Sequence, residues 1–261
     1  MNERELRKVL SDLHLAGIRF FSKTGSTNDV ALAWAAEGAP DLGLVYAEEQ
    51  TAGRGRLGRR WFTPPGAALA FSLVIRPLPG EQQTLSLFSG LGALAVSEAL
   101  AGRGYPAEIK WPNDVLIRDR KVCGILAEAV WIGERIDSLV LGIGINVSPA
   151  SVPPADELIF PATCLEAELA ADAPVARSAL LREILRALID WRVRMAGDEF
   201  LRAWQERLAF RGKRVEVSGA GGVSKSGLVQ GLERDGSLRL VGDRGEVFTV
   251  QFGDVHLRPV V

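Results

Sequence analysis

The sequence predicts a protein of both strands and helices: one sheet with covering helices over residues 1–210, and a small all-β barrel over residues 211–261. Three observations carry that expectation. Through Phe210, β-rich runs bounded by turn residues alternate with runs whose apolar residues recur at spacings of three and four, so strands and helices are mixed rather than segregated. Beyond Phe210 the texture changes to short alternating strands separated by Gly and Asp turns. No internal repeat or low-complexity tract interrupts either region.

The elements follow in order. MNERELRKVLSDLHLAG (1–17) has the pattern of one short amphipathic helix, with His14 on its face. IRFFS (18–22) is a strand. STNDVALAWAAEG (26–38) opens on residue types that cap helix N-termini and ends on Gly38, which predicts a short helix from Thr27 or Asn28. Capping alone would account for Ser26 and Thr27. LGLVYAEE (42–49) and LAFSLVI (69–75) are strands, and TLSLFSGLGALAVSEAL (84–100) is a helix. KVCGILAEAV (121–130) and SLVLGIGINV (138–147) complete the sheet. SVPPADELIFPATC (151–164) holds three prolines and reads as a connecting loop. RSALLREILRALIDWRVRM (177–195) and DEFLRAWQERL (198–208) are amphipathic helices that join 84–100 in covering one face. RVEVSG, SGLVQGLERDG, SLRLVGD and EVFTVQFGD are the strands of the barrel.

Composition removes several functions. Lys plus Arg is 31 against 32 for Asp plus Glu, a net charge of −1, so no overall excess of positive charge drives the chain onto nucleic acid or an anionic membrane. No apolar run approaches the roughly 18 residues that span a bilayer. Cys123 and Cys164 have no metal-like spacing, and no charged-then-apolar leader is present, which predicts a cytoplasmic protein with reduced thiols.

Charge is instead local. TAGRGRLGRRW (51–61) holds four arginines and three glycines. It fits neither the GxxxxGK[ST] phosphate loop nor GxGxxG. Its glycines let the backbone come close to a ligand, and its arginines can fork onto carboxylate or phosphate oxygens. A solvated loop or a nucleic-acid contact is the competing reading of the same residues. KWPNDVLI (110–117) sets a cation, a fixed turn and two polar side chains just ahead of a strand; a surface turn around a packed tryptophan is its plain alternative. Lys121 opens KVCGILAE, and GIGINV (142–147) carries Gly144 and Asn146 inside an apolar run. A polar Asn there must find a hydrogen-bond partner or cost stability, unless it sits at the strand's wet end. The two histidines, His14 and His256, lie at opposite ends of the chain and no serine sits in a GxSxG elbow, so no enzyme nucleophile is indicated.

STN (26–28), GRGRLGRRW (53–61), KWPNDVLI (110–117), RKVCGILAE (120–128) and GIGINV (142–147), in that order and at these gaps, resemble the motif set of bacterial biotin protein ligases. With the terminal barrel the resemblance covers nearly the whole chain. Leu57 stands where many relatives carry a basic residue and Cys123 where alanine is frequent, and neither removes a group with an assigned role. The resemblance implies a class II synthetase-like α+β domain, a mixed sheet with helices, followed by an SH3-like barrel, and an ATP-dependent, AMP-forming ligation assisted by Mg²⁺. Biotin becomes biotinyl-5′-AMP and is then transferred to a lysine of a biotin carboxyl carrier domain. By resemblance, Arg54, Arg56, Lys110 and Lys121 carry the catalytic charge, with Arg54 closing the loop. Ser26, Thr27, Asn28 and Gln50, with Arg54, Arg56, Lys110 and backbone groups at Gly53, Gly124 and Gly144, belong to the biotin end. Arg56, Trp61, Asn113, Asp114, Lys121 and Asn146 belong to the nucleotide end, where Asp114 orients the incoming lysine or helps to hold Mg²⁺.

Relatives often dimerise through an exposed sheet edge. Some carry an N-terminal DNA-reading module; only 25 residues precede Ser26, too few for three helices, so specific operator binding is not expected. Two rivals remain at this level. A lipoate or octanoyl ligase shares the fold, but the polar Ser26, Thr27 and Gln50 favour a ureido ring over an alkyl chain. A non-catalytic nucleic-acid module would use the basic loop and the barrel, against which the near-neutral net charge counts.

Overall fold

The computed structural model describes residues 1–168, 174–218, 224–251 and 256–259. Seven strands form the main sheet: β1 (Gly17–Phe21), β2 (Gly43–Ala47), β3 (Ala68–Ile75), β4 (Ala107–Lys110), β5 (Asp114–Ile117), β6 (Arg120–Ile132) and β7 (Arg135–Asn146). Their spatial order is β1-β2-β3-β7-β6-β5-β4, with β1 and β2 parallel and the other pairs antiparallel. The expected mixed sheet is present, with β4 an addition that four residues without a strong pattern did not announce.

Strand alternation divides the sheet into two unlike faces. Along β3, Leu69, Phe71, Leu73 and Ile75 join the main apolar core. Ala70, Ser72 and Val74 alternate with them onto the other face. Helices α1 (Glu3–Val9), α3 (Leu87–Ala101), α4 (Arg177–Arg192) and α5 (Asp198–Glu206) contribute to the core on the first face. Helix α2 (Thr27–Ala36) packs on the second, through Ala31 and Ala35 against Val45, Val74 and Val140. Helices α3, α4 and α5 therefore do share a face, as their periodicity predicted. Helix α3 is apolar nearly all round because it is buried nearly all round. Its Gly90 makes room for the Trp204 indole of α5, which any Cβ would strike.

Helix α1 corrects the first expectation. It ends at Val9, held at its start by Asn2 Oδ1 accepting from Glu5 N and by Leu6 alone in the core. His14 lies beyond it and is exposed rather than on a helix face. Burial continues past its end, with Leu10 in the same core and Leu13 and Leu15 packed against it in non-helical backbone.

Strands β8 (Arg214–Ser218), β9 (Ser224–Leu232), β10 (Leu238–Val241), β11 (Val247–Val250) and β12 (His256–Pro259) form an antiparallel sheet in the order β11-β10-β9-β8-β12. This is consistent with the small barrel-like unit. Its inner residues Val215, Val217, Val229, Leu238 and Leu240 merge with the main core. Among the described residues no helix is long and apolar enough to cross a membrane.

Candidate active site

The second face of the sheet carries a strip of small residues. Register places Gly124 beside Gly144 and Gly144 beside Ala70, while Leu126 pairs with Gly142 and Gly142 with Ser72. Alternation brings these onto the side opposite the core, and the missing side chains lower the floor beneath a cavity of about 690 Å³. The start of α2, the basic loop, the turn between β4 and β5 and residues of the 151–162 segment wall it.

One end of the cavity is neutral and polar. Gln50 Oε1 accepts from Thr27 N at 2.7 Å and Thr27 Oγ1 at 3.1 Å, while Gln50 Nε2 donates to Thr63 Oγ1 at 3.0 Å. Ser26 occupies the N-cap of α2 but makes no side-chain capping bond. Gln50 supplies what a cap would, satisfying an N–H that the first turn leaves over. Ser72 Oγ lies 2.8 Å from Thr27 Oγ1 and 2.6 Å from Asn28 Oδ1. Gly142 is required here, since a methyl at that position would collide with the Asn28 amide.

The other end is charged. The β4–β5 pairing sets Lys110 opposite Asp114, and the β5–β6 pairing sets Asp114 opposite Gly124. Lys121 Nζ lies 2.6 Å from Asp114 Oδ1, and Lys110 Nζ lies 3.4 Å from Asp114 Oδ2. Burial pushes the Asp114 carboxyl up, but the two ammonium groups outweigh it and hold the acid below its ordinary range. Burial is the largest influence on Lys110 and lowers it; Asp114 offsets part of this and Lys121 adds repulsion, leaving the amine below its ordinary range. Lys110 Nζ also sits 4.6 Å from the Phe160 ring centroid, and Lys121 Nζ 5.5 Å from that of Trp61. Two cations and one carboxylate leave this end positive, which suits an anionic ligand.

Asn113 and Asn146 resolve the polar positions in apolar runs. Asn113 Nδ2 donates to the Ile125 carbonyl at 2.7 Å, and its Oδ1 accepts from Arg56 Nη1 at 3.0 Å. Asn146 Nδ2 donates to the Thr163 carbonyl at 3.0 Å, so its partner is the 151–164 segment. The Trp61 indole lies over Gly124 and Gly144, where any Cβ would meet it. Its buried Nε1 has no hydrogen-bond partner among the described residues.

The basic loop is folded. Gly55 N donates to Arg59 O at 2.7 Å and Trp61 N to Gly53 O at 2.8 Å. Between them, a turn over Arg56–Gly58 puts Leu57 and Gly58 at φ 59° and 70°. Arg54 pairs with Glu128 and Asp29, both at its periphery.

Ser26, Thr27, Asn28, Gln50, Arg54, Arg56, Trp61, Lys110, Asn113, Asp114, Lys121, Gly124, Gly144 and Asn146 all line this one cavity. Gly53 does not. It packs beneath the loop, against the Trp61 carbonyl and the Gln50 amide, where a side chain would not fit. Its expected place at a ligand is corrected to a place in the loop's own fold. Sequence reading missed Gly142, Ser72 and Glu128, although period-two alternation from Gly144, Ala70 and Gly124 reaches each of them. It also took 151–164 for a plain connector, whereas Pro153, Ile159 and Phe160 form part of the wall. No three His, Cys, Asp or Glu side chains come together as a metal cage among the described residues. Cys123 and Cys164 are buried free thiols, with burial pushing both up.

Known proteins match this architecture. The Biotin/lipoate A/B protein ligase family matches residues 20–146, the span from β1 to the end of β7. A biotin–[acetyl-CoA-carboxylase] ligase of Mycobacterium tuberculosis is 38% identical over 247 residues, covering 91% of this chain and 88% of that protein. The corresponding ligase of Paracoccus denitrificans is 34% identical, covering 86% of this chain and 94% of its own. The biotin protein ligase from Aquifex aeolicus, solved in complex with biotin and ATP, superposes with a TM-score of 0.79 at 27% identity, covering 94% of this chain and all of that one, 100%. By its fold, its motif-lined cavity and its identity to these enzymes along nearly its whole length, the chain belongs to the biotin protein ligase family.

Proposed function

We infer that the chain is an ATP-dependent biotin protein ligase. The observation that carries this reading is the polarity of this cavity, neutral donors and acceptors around Gln50 at one end and the Lys110–Asp114–Lys121 cluster at the other. Biotin has the same polarity, a neutral ureido ring and an anionic carboxylate. Thr27, Asn28, Gln50 and Ser26 take the ring, and the glycine strip admits the bicycle. The carboxylate then meets the α-phosphorus of ATP, an oxygen–phosphorus bond forms, and pyrophosphate leaves with the electron pair of the broken bond. The product is biotinyl-5′-AMP. Arg56, Lys110 and Lys121 offset the repulsion of two anions and the charge that develops between them, while Arg54 holds the loop; positioning and charge are the whole of the protein's task. Trp61, Asn113 and Asn146 form the nucleotide end, with the Trp61 N–H open to a ligand acceptor.

In the second step the amine of an acceptor lysine attacks the activated carbonyl and AMP leaves. A carboxyl carrier domain is the acceptor we propose, as the names of the relatives suggest. Mg²⁺ does not fit a protein-built cage here, because both Asp114 oxygens already face lysines. We assign it to the ATP phosphates, and assign Asp114 to holding the two lysines. The division at residue 211, and pairing of two copies across the free edge of β1, belong to the same proposal. We ascribe no DNA reading to α1, whose Leu6 is buried in the core.

The test is incubation with ATP, Mg²⁺ and either biotin or lipoate, with mass spectrometry for the adenylate. Biotinyl-AMP from biotin and nothing from lipoate is expected. Lipoyl-AMP alone would move the chain to the other branch of the family, and neither product would remove the reading.

A further inference from the structure

Arg54 opens the arginine series of the loop, yet its guanidinium is engaged at the sheet and at α2. Nη1 donates to Glu128 Oε1 and Nη2 to Glu128 Oε2, both at 2.8 Å, and Nη2 lies 2.7 Å from Asp29 Oδ1. A fork on a carboxylate fixes direction as well as distance, which a point charge does not. Glu128 is itself fixed. Its Oε2 also accepts from Asn28 Nδ2 at 2.7 Å, and Asn28 Oδ1 accepts from Ser72 Oγ at 2.6 Å. One unbroken set of hydrogen bonds thus joins the loop, β6, α2 and β3. Glu128 stands at the rim, three quarters buried on the same face as Gly124 and Leu126. The sheet's alternation therefore delivers a carboxylate to the one place from which it can reach both the loop and the polar end.

We propose that Glu128 is a positioning residue for ligation: it clasps Arg54 so that the loop lies with Arg56 across the cavity on Asn113, and it ties that closure to Asn28. The role in catalysis rests on the biotin-ligase reading above. The clasp itself is a statement about the loop, whatever the ligand. Glu128 touches no reacting atom. Its loss acts through Arg54 and Asn28, releasing the loop at its root and leaving the Asn28 Nδ2 only its longer bond, 3.4 Å, to the Leu126 carbonyl. The adenylate is then held less long, while the charge cluster that forms it is intact.

The test uses the full chain with Glu128→Gln, Arg54→Ala and the double variant. Amide hydrogen exchange of residues 53–60, without any added ligand, is expected to quicken roughly tenfold in Glu128→Gln, as when a charge-assisted bond is lost. With ATP, Mg²⁺ and biotin, the off-rate of biotinyl-AMP should rise by a similar factor. First-turnover formation at saturating substrates should fall far less, a split that general loosening does not produce. Because the two residues act as one unit, the double variant should be no worse than the poorer single one. Loop exchange unchanged in Glu128→Gln, or effects that multiply in the double variant, would overturn the clasp. If the wild-type chain forms no biotinyl-AMP, the ligation role falls with the functional reading, and the exchange measurement still decides whether the clasp exists.

Discussion

The indole Nε1 of Trp111 donates to the backbone carbonyl of Gly236 at 2.9 Å. One residue of the KWPND motif thereby grips the turn between β9 and β10, and it does so from inside the core, with Trp111 only 1% exposed. The same turn is held by Ser86 Oγ donating to the Asp235 carbonyl at 2.7 Å. Lys110 and Asp114, on either side of this anchor, thus have their height above the floor set partly by the C-terminal sheet.

Trp111→Phe tests that link. It keeps an aromatic ring and removes the donor, leaving the buried Gly236 carbonyl without this partner at a cost of about 1–3 kcal/mol. Adenylate formation should slow while biotin affinity, which we assign to the Gln50 end of the cavity, stays close to that of the wild type. Stopped-flow measurement of the first half-reaction beside a biotin titration separates the two. A parallel fall in both would mean that Trp111 supports the fold alone.

A second prediction concerns the floor. A methyl at Gly142 would collide with Asn28 Oδ1 and one at Gly144 with the Trp61 indole, so neighbouring glycines protect different groups. Gly142→Ala should cost about 1–3 kcal/mol by overpacking and weaken biotin binding through Asn28. Gly144→Ala should displace Trp61 and so weaken ATP binding as well. Calorimetric titration of each ligand is the check, and a biotin affinity unchanged by Gly142→Ala would remove Asn28 from the biotin end.

Much of this site was legible in the chain, because the chemistry announces itself. Arginines among glycines, a Lys-Trp-Pro-Asn-Asp run and an Asn in an apolar strand are each costly without a purpose. What stayed hidden lacks such a signature. Gly142 and Ser72 are small residues in strands, meaningful only once register sets them side by side. Glu128 reads as an ordinary surface acid until its alternation from Gly124 is followed to the rim. The 151–162 wall is proline-rich and without period, so only tertiary contacts such as Asn146 to Thr163 show where it lies. Likewise α1 stops at Val9 although Leu10 beyond it is buried in the same core, so neither the apolar pattern nor burial marks where it ends.

The charged end predicts a pH response. Asp114 holds its proton more weakly in the fold than in the unfolded chain. Its stabilising contribution is therefore complete above the unfolded carboxyl range near 3.9, and is lost as pH falls through the lower folded value. Lys110 differs in that burial lowers it and the Asp114 carboxylate partly restores it. Asp114→Asn removes the restoring influence while burial and Lys121 remain, so Lys110 should lose its proton at lower pH. The alkaline limb of the adenylation profile should move toward neutrality in this variant. An unmoved limb would show that the Lys110 charge is not what the first half-reaction needs.

Arg56 is the residue on which the loop's purpose rests. Its Nη1 bridges to Asn113 Oδ1 at 3.0 Å, from a turn whose Leu57 and Gly58 adopt left-handed backbone and whose side chains add little to the core. The Arg54–Glu128 fork holds this loop at its root, and we propose that an acyl phosphate meeting Arg56 adds a charge contact at its tip. On that proposal the loop, closed over the mixed anhydride, shields the intermediate from water and stray amines. Arg56→Gly removes both the bridge and the charge without touching a buried side chain. The fold should persist, biotin should bind more weakly, and biotinyl-AMP should leave faster. Escaped adenylate would then label lysines of bystander proteins. The measurement is bystander labelling at matched adenylate production, together with protease sensitivity of residues 53–60 with and without biotin. If labelling does not rise and the loop is equally protected in both states, the arginines of this loop serve something other than retention of the intermediate, and the Arg56–Asn113 bridge is a feature of the resting fold alone.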